Sequence, residues 1–262
     1  ELPELVENNV ISPETAAAIE HYYAARREPQ GNRLLTIFGA LGGILVGLGI
    51  ILIFAHNWDD FSKSTKTMLS LFPLVAAQAL TFYTLLKNKS MVWRSAAGAL
   101  LFFSVGAAIS LIAQVYNISG NLGDFLFTWI LLCTPLIYIL RTNVQAVLHI
   151  IFATYYAVEA GYFDPERPWG YLLFTAALMP FYIQQIRENR NESLTALSWL
   201  LPLSGIIYLG GFLDGAGEFG LLIYLAFAAI IHSIGHMAPF HNKKQGYLTL
   251  GEMSIVVVLM MA

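Results

Sequence analysis

Nine long apolar segments constrain the fold of this chain more than any other feature of its sequence. A helix needs about 20 mainly apolar residues to cross the hydrocarbon core of a bilayer, and most of these segments are close to that length. Charged residues make up only 12% of the chain, whereas soluble domains carry about 25%. The sequence therefore predicts an all-α fold, a polytopic transmembrane helix bundle of about nine spans. We place the spans at Leu34–His56, Thr67–Leu86, Val92–Tyr116, Asp124–Leu140, Val144–Ala160, Trp169–Ile186, Leu194–Phe212, Phe219–Pro239 and Tyr247–Ala262, the last of them truncated.

The chain divides into a polar segment over residues 1–33 and a transmembrane bundle over residues 34–262. In the polar segment Ser12 can cap a helix, Pro13 suits its first position, and Glu14 favours the positive end of its dipole. We interpret residues 1–33 as a short, soluble, amphipathic helical segment on the cytoplasmic membrane surface. The chain begins without a methionine and ends inside an apolar run, so we expect residues to be missing at both ends.

The lysines and arginines predict the orientation of the bundle, because they are enriched in the cytoplasmic loops of membrane proteins. With the N-terminus in the cytoplasm, eleven of them fall on the inner side and three on the outer side. We therefore expect a multi-pass protein of the cell inner (cytoplasmic) membrane with a cytoplasmic N-terminus. The three outer residues are Lys63, Lys66 and Arg167.

The first and third apolar segments align without gaps at an offset of 59 residues, as in Gly39-Ala40-Leu41 and Gly98-Ala99-Leu100. Both segments run from the inner to the outer side, so the pattern indicates a parallel two-span repeat, 34–86 and 92–140. Repeats of spans are typical of transporters. The alternative is that the match reflects only the shared composition of membrane helices.

Several pieces of the sequence carry a resemblance to a known family, and the Ala-x-Asn-Trp and Gln-x-Tyr pieces among them are unusual for span ends. The pieces are Ile11-Ser12-Pro13-Glu14, Ile53-Phe54-Ala55-His56-Asn57-Trp58-Asp59, Ile112-Ala113-Gln114-Val115-Tyr116-Asn117-Ile118-Ser119-Gly120, Asp124, Trp129, Pro135-Leu136 and Leu140-Arg141. Over residues 9–141 the chain resembles the bacterial family of predicted membrane proteins catalogued as domain of unknown function 2157. The resemblance implies a membrane architecture and no particular reaction.

A polar and aromatic cluster at the predicted outer face is the first candidate site. An amide such as Gln114 inside an apolar run needs a hydrogen-bond partner, which favours a ligand-binding pocket between the two repeat hairpins. Aromatic residues also belong at membrane interfaces, and Asn and Asp suit turns, so the cluster could instead be interfacial and structural. Its members are Asn57, Trp58, Gln114, Tyr116, Asn117 and Asp124.

Three histidines near the predicted inner face form the second candidate site. His232 and His236 are four residues apart and share a helix face, and His149 lies about two turns into the fifth span. Imidazoles can hold a metal or haem iron, or pass protons. Packing or an interfacial position is the other interpretation, and we predict no cofactor.

Three function classes remain open from the sequence. The first is transport or binding of a small molecule or lipid through an outward-facing polar pocket. The second is a membrane scaffold or sensor subunit with no catalytic site, which would work with a homo-oligomeric or other membrane partner. The third is an intramembrane metal- or haem-binding protein.

The chain has no phosphate-binding loop, zinc-protease motif or nucleophile elbow, so we lean against an enzyme. A net charge of -3 does not suggest a nucleic-acid partner, and the bilayer itself is the expected environment.

Overall fold

The computed structural model describes residues 12–26, 58–163, 168–188, 191–213, 218–237 and 245–261, together with Val6, Asn8 and Val10. The chain splits into two compact units, an N-terminal unit over Glu1–Phe61 and a C-terminal unit over Ser62–Ala262. The described residues form helices and the turns between them, with no β-strand among them. The predicted all-α class is therefore confirmed for this part of the chain.

Helix α1 (Pro13–Arg26) belongs to the N-terminal unit and begins where the sequence predicts. The hydroxyl of Ser12 accepts a hydrogen bond from the backbone N–H of Thr15 at 3.2 Å, which satisfies one of the free donors at the helix start. The predicted first span, Leu34–His56, lies outside the described residues. The first copy of the proposed repeat, 34–86, is therefore described only in its second helix, Lys63–Leu86.

The C-terminal unit is a series of helices. Short turns around Asn117 and around Arg141 join successive helices and lie at opposite ends of the apolar segment Leu122–Leu140. We name two ends of the bundle after these turns, the Asn117 end and the Arg141 end. The helices are α2 (Lys63–Leu86), α3 (Met91–Tyr116), α4 (Leu122–Cys133), α5 (Pro135–Leu140), α6 (Asn143–Val158), a π-helix (Glu159–Phe163), α7 (Trp169–Arg187), α8 (Asn191–Phe212), α9 (Glu218–His236) and α10 (Gln245–Met261).

Six helical segments among the described residues are long and apolar enough to cross a membrane. The transmembrane character predicted from the sequence is therefore confirmed, whereas the count of nine spans is not. Helix α7 is not among the six, because Gln184, Gln185 and Arg187 lower the mean hydropathy of its last turn. The final apolar stretch, Gly246–Val258, is shorter than a full span. The six segments are Lys63–Leu86, Met91–Tyr116, Leu122–Leu140, Asn143–Phe163, Thr195–Phe212 and Phe219–His236.

Two of these segments are irregular helices. The segment Leu122–Leu140 breaks at Thr134, since Pro135 has no backbone N–H and its ring clashes with the preceding turn. The segment Asn143–Phe163 ends in a π-turn that begins at Glu159. Single π-turns inside helices are rare and frequently accompany functional sites. The predicted end of this span, Ala160, falls inside that turn.

Large apolar side chains cover much of the outside of the C-terminal unit. Phe72 is 69% exposed, Phe82 is 61% exposed and Val92 is 76% exposed. Soluble proteins rarely show extended apolar surfaces of this kind. In a bilayer these side chains contact lipid, so the surface agrees with the apolar helices in indicating a membrane protein.

Two buried clusters hold the C-terminal unit together. The larger one joins α4, α6, α7 and α8 around fully buried side chains such as Phe174 and Leu178. The smaller one joins α2, α3, α4 and α5 around Phe102 and Leu140. Trp129 packs against both clusters, and its indole N–H donates to the backbone oxygen of Phe102 at 2.8 Å. Phe152 also packs against both clusters, so Trp129 and Phe152 together connect them.

Candidate functional site

The turn between α3 and α4 shapes the Asn117 end of the bundle. Asn117 has a left-handed backbone with φ 51°, and the N–H of Ile118 donates to the oxygen of Ala113 at 2.9 Å. This arrangement is a Schellman cap, in which asparagine is one of the few residues that tolerate a positive φ. At the start of α4 the amide oxygen of Asn121 accepts from the N–H of Asp124 at 2.6 Å. These two caps fix where α3 stops and α4 begins.

A cavity of about 380 Å³ lies between the end of α3, the turn and the start of α4. Its wall combines hydroxyl, amide and carboxylate groups with apolar side chains such as Ile118 and Phe125, so it can both accept and donate hydrogen bonds. Asp124 is the one charged residue among the described residues that line it, and its side chain is exposed. The polar lining residues are Ser110, Ser119, Asn121, Asp124 and Thr128.

The predicted outer cluster is only partly brought together here. Of its described members in the C-terminal unit, Asp124 lines the cavity, whereas Gln114, Tyr116 and Asn117 do not. Gln114 is exposed, and Asn117 serves as the helix cap. The hydroxyl of Tyr116 lies 3.1 Å from the hydroxyl of Thr67, which ties α3 to α2.

The two remaining members of the outer cluster precede the C-terminal unit. Asn57 lies outside the described residues. Trp58 lies half-buried in a turn of the N-terminal unit. The four other polar lining residues were not part of the sequence prediction. Asn121 could have been found from its capping position three residues before Asp124, and Ser110 and Thr128 from their polarity inside apolar segments.

The three predicted histidines do not form one group. The Nε2 atoms of His232 and His236 lie 3.2 Å apart, so one imidazole donates and the other accepts. His149 is 1% exposed, and its Nε2 lies 2.9 Å from the backbone oxygen of Phe174. Within the described part of the chain, no three His, Cys, Asp or Glu side chains lie together so that they could hold a metal ion.

A chain of hydroxyl groups crosslinks the helices deeper in the bundle. The hydroxyl of Ser204 on α8 lies 2.7 Å from that of Thr154 on α6 and 2.8 Å from that of Tyr171 on α7. Tyr171 also stacks on Tyr208, with ring centroids 4.3 Å apart. These polar groups satisfy one another, so we assign the hydroxyl chain to helix packing.

Comparison with known proteins agrees with the membrane architecture. No curated protein and no solved structure matches the chain significantly. Residues 3–146 match the family described as "Predicted membrane protein (DUF2157)", which covers more than half of the chain and includes every helix around the cavity. The resemblance drawn from the sequence is thereby confirmed. The chain belongs to this family of predicted membrane proteins, domain of unknown function 2157.

Proposed function

We propose that the chain crosses the inner membrane nine times, with its N-terminus in the cytoplasm and the Asn117 end facing outwards. Seven lysines and arginines are described in the C-terminal unit, and five of them lie toward the Arg141 end. That excess supports placing the Arg141 end in the cytoplasm. The five are Lys87, Lys89, Arg94, Arg141 and Arg187.

We further propose that the protein binds or transports a small polar molecule through the cavity at its Asn117 end. The single observation that carries this proposal is a recess of about 380 Å³ at the end of a transmembrane hairpin, with hydroxyl groups and one carboxylate in its wall. Ligand sites are concave and combine apolar walls with a few convergent polar groups, as this recess does.

The charge of the cavity wall limits the kinds of ligand that the cavity can bind. A carboxylate attracts cations, and a protonated amine can in addition donate hydrogen bonds to it. Serine and threonine hydroxyls beside the carboxylate suit a ligand that also carries a hydroxyl group. We therefore expect a small organic cation with hydroxyl groups. Because Asp124 is exposed, its ion pair contributes only about 0.2–1 kcal/mol, so we expect weak binding of a simple probe.

Ethanolamine should raise the melting temperature of the purified protein, and the substitution Asp124→Asn should reduce that rise. Ethanolamine offers an ammonium and a hydroxyl group, whereas ethylene glycol replaces the ammonium by a second hydroxyl. A probe at ten times its Kd stabilises the bound state by about 1.4 kcal/mol, which a thermal-shift measurement resolves.

Two controls distinguish binding in the cavity from a general effect of charge on the melting temperature. Ethylene glycol should leave the melting temperature unchanged, and Asp60→Asn, which removes another exposed carboxylate, should keep the full response to ethanolamine. Equal responses of the unaltered protein and Asp124→Asn would contradict the proposal. The scaffold or sensor interpretation would then be the better account.

A further inference from the structure

Three polar side chains lie in a buried row on α6, at the opposite end of the bundle from the Asp124 cavity. Thr142 is the N-cap of α6 and is 0% exposed, and Gln145 and His149 are each 1% exposed. Residues three, four and seven positions apart share one face of a helix. At a rise of about 1.5 Å per residue, the row extends roughly 10 Å into the bundle from the Arg141 end.

Each of the three side chains has a buried polar atom without a hydrogen-bond partner among the described residues. These atoms are the hydroxyl of Thr142, Oε1 of Gln145 and Nδ1 of His149. Buried polar atoms without partners are rare in folded proteins, and ordered water commonly accounts for those that occur. Three such atoms on one helix face therefore indicate bound water more strongly than a single atom would.

The hydrogen bonds that Gln145 and His149 already make determine whether their remaining polar atoms donate or accept. Nε2 of Gln145 donates to the backbone oxygen of Ser95 at 3.4 Å, which leaves its Oε1 as an acceptor. Nε2 of His149 must carry the hydrogen, since its partner, the oxygen of Phe174, can only accept. Nδ1 of His149 is then an acceptor as well. The row thus offers two acceptors and a hydroxyl group, and it needs a ligand that donates hydrogen bonds.

Gly98 on α3 makes room for this arrangement. A Cβ atom at Gly98 would lie 2.8 Å from Cδ of Gln145, so any larger residue would displace the Gln145 side chain. The absence of a side chain lets the amide lie flat against α3 and reach Ser95. The position of the free Oε1 is therefore fixed by the packing of two helices, and not by a flexible surface side chain.

We propose that the row formed by Thr142, Gln145 and His149 binds water molecules that enter from the Arg141 end and reach His149 inside the bundle. Each water can donate to one free acceptor and accept from its neighbour or from Thr142. The row is then a hydrated inlet that reaches about a third of the way across the hydrocarbon core. This inference is independent of the function proposed for the Asp124 cavity.

Thiol accessibility tests the inlet directly. The 262 residues of the chain include one cysteine, Cys133, so Cys133→Ser gives a background without thiols. Single cysteines are then placed on the row by Gln145→Cys and His149→Cys, and beside it by Ala146→Cys and Ile150→Cys. Ala146 and Ile150 are 0% and 1% exposed on the same helix, and Ile150→Cys shortens a large side chain as His149→Cys does. Each folded variant is treated in detergent with a charged methanethiosulfonate reagent, and its labelling rate is measured by mass spectrometry.

We expect the two row cysteines to react at least about tenfold faster than their neighbours, because water both admits the reagent and favours the reactive thiolate. Rates at 145 and 149 no faster than at 146 and 150 would overturn the proposal.

Radiolytic hydroxyl-radical labelling of the unsubstituted protein decides the question if a variant does not fold. Oxidation of His149 above that of Phe102, which is equally buried in the smaller cluster, supports the inlet. An unmodified His149 would contradict it.

Discussion

Replacing Trp129 by alanine is expected to destabilise the protein by about 3 kcal/mol, the low end of the range for removing a large aromatic side chain from a core. The ring of Trp129 lies 5.4 Å from that of Phe102, 5.4 Å from that of Phe125 and 4.5 Å from that of Phe152. Truncation leaves a cavity between the two buried clusters and removes the hydrogen bond to the backbone of Phe102. In a membrane the loss is mainly one of packing, because lipid also accommodates apolar side chains. The measurement is the unfolding free energy in mixed micelles.

Two further tryptophan variants show whether the loss of stability comes from the position of Trp129 between the two clusters. Trp129→Phe keeps an aromatic ring but no indole N–H, so its cost should be intermediate. Trp93 is 58% exposed on the apolar surface of α3, and Trp93→Ala should change the free energy of unfolding by less than about 0.5 kcal/mol. A cost for Trp129→Ala no larger than that for Trp93→Ala would contradict a stabilising role for Trp129 between the clusters.

Replacing Gly246 by alanine is expected to cost about 1–3 kcal/mol, the usual penalty for overfilling a packed site. An added Cβ would lie 2.7 Å from the backbone carbon of Ser198 and 2.9 Å from the backbone nitrogen of Trp199. Backbone atoms cannot rotate away, so α10 and α8 must move apart. Small residues allow such close helix contacts in membranes.

Gly120 provides the matched control for this substitution. An added Cβ at Gly120 meets no atom within 4 Å, so Gly120→Ala should leave the melting temperature almost unchanged. The two variants differ from the unaltered protein by the same single methyl group. If both lower the melting temperature equally, the effect of Gly246→Ala comes from the loss of glycine itself and not from the helix contact.

The positions of the helices could be predicted from the sequence, because the thickness of a bilayer sets the length of an apolar segment. The break at Pro135 and the start of α1 at Ser12 also follow from local chemistry. The π-turn beginning at Glu159 could not be predicted, since no residue type in Glu159–Phe163 requires that hydrogen-bonding pattern. The count of spans depends on weakly apolar segments such as α7, where composition alone is ambiguous.

The candidate site was predictable only in part. Asp124 is predicted from the sequence as a member of the outer cluster, and it lines the cavity. The sequence could not show that Gln114 remains exposed while Ser110, one turn earlier on α3, lines the cavity. Which face of a helix meets a cavity depends on packing against other helices. For the same reason, nothing local to His149 shows that its ring lies against Phe174.

We propose that the cavity at the Asn117 end opens to the outside and binds a small organic cation. The most direct test places one cysteine in its wall by Ser119→Cys, in the Cys133→Ser background. Labelling by a membrane-impermeant thiol reagent is then followed in right-side-out and in inverted membrane vesicles, with and without ethanolamine. We predict rapid labelling in right-side-out vesicles, little in inverted ones, and a slower rate when ethanolamine is present but not when ethylene glycol is. Labelling confined to inverted vesicles would contradict the orientation, and a rate unaffected by ethanolamine would contradict the binding site.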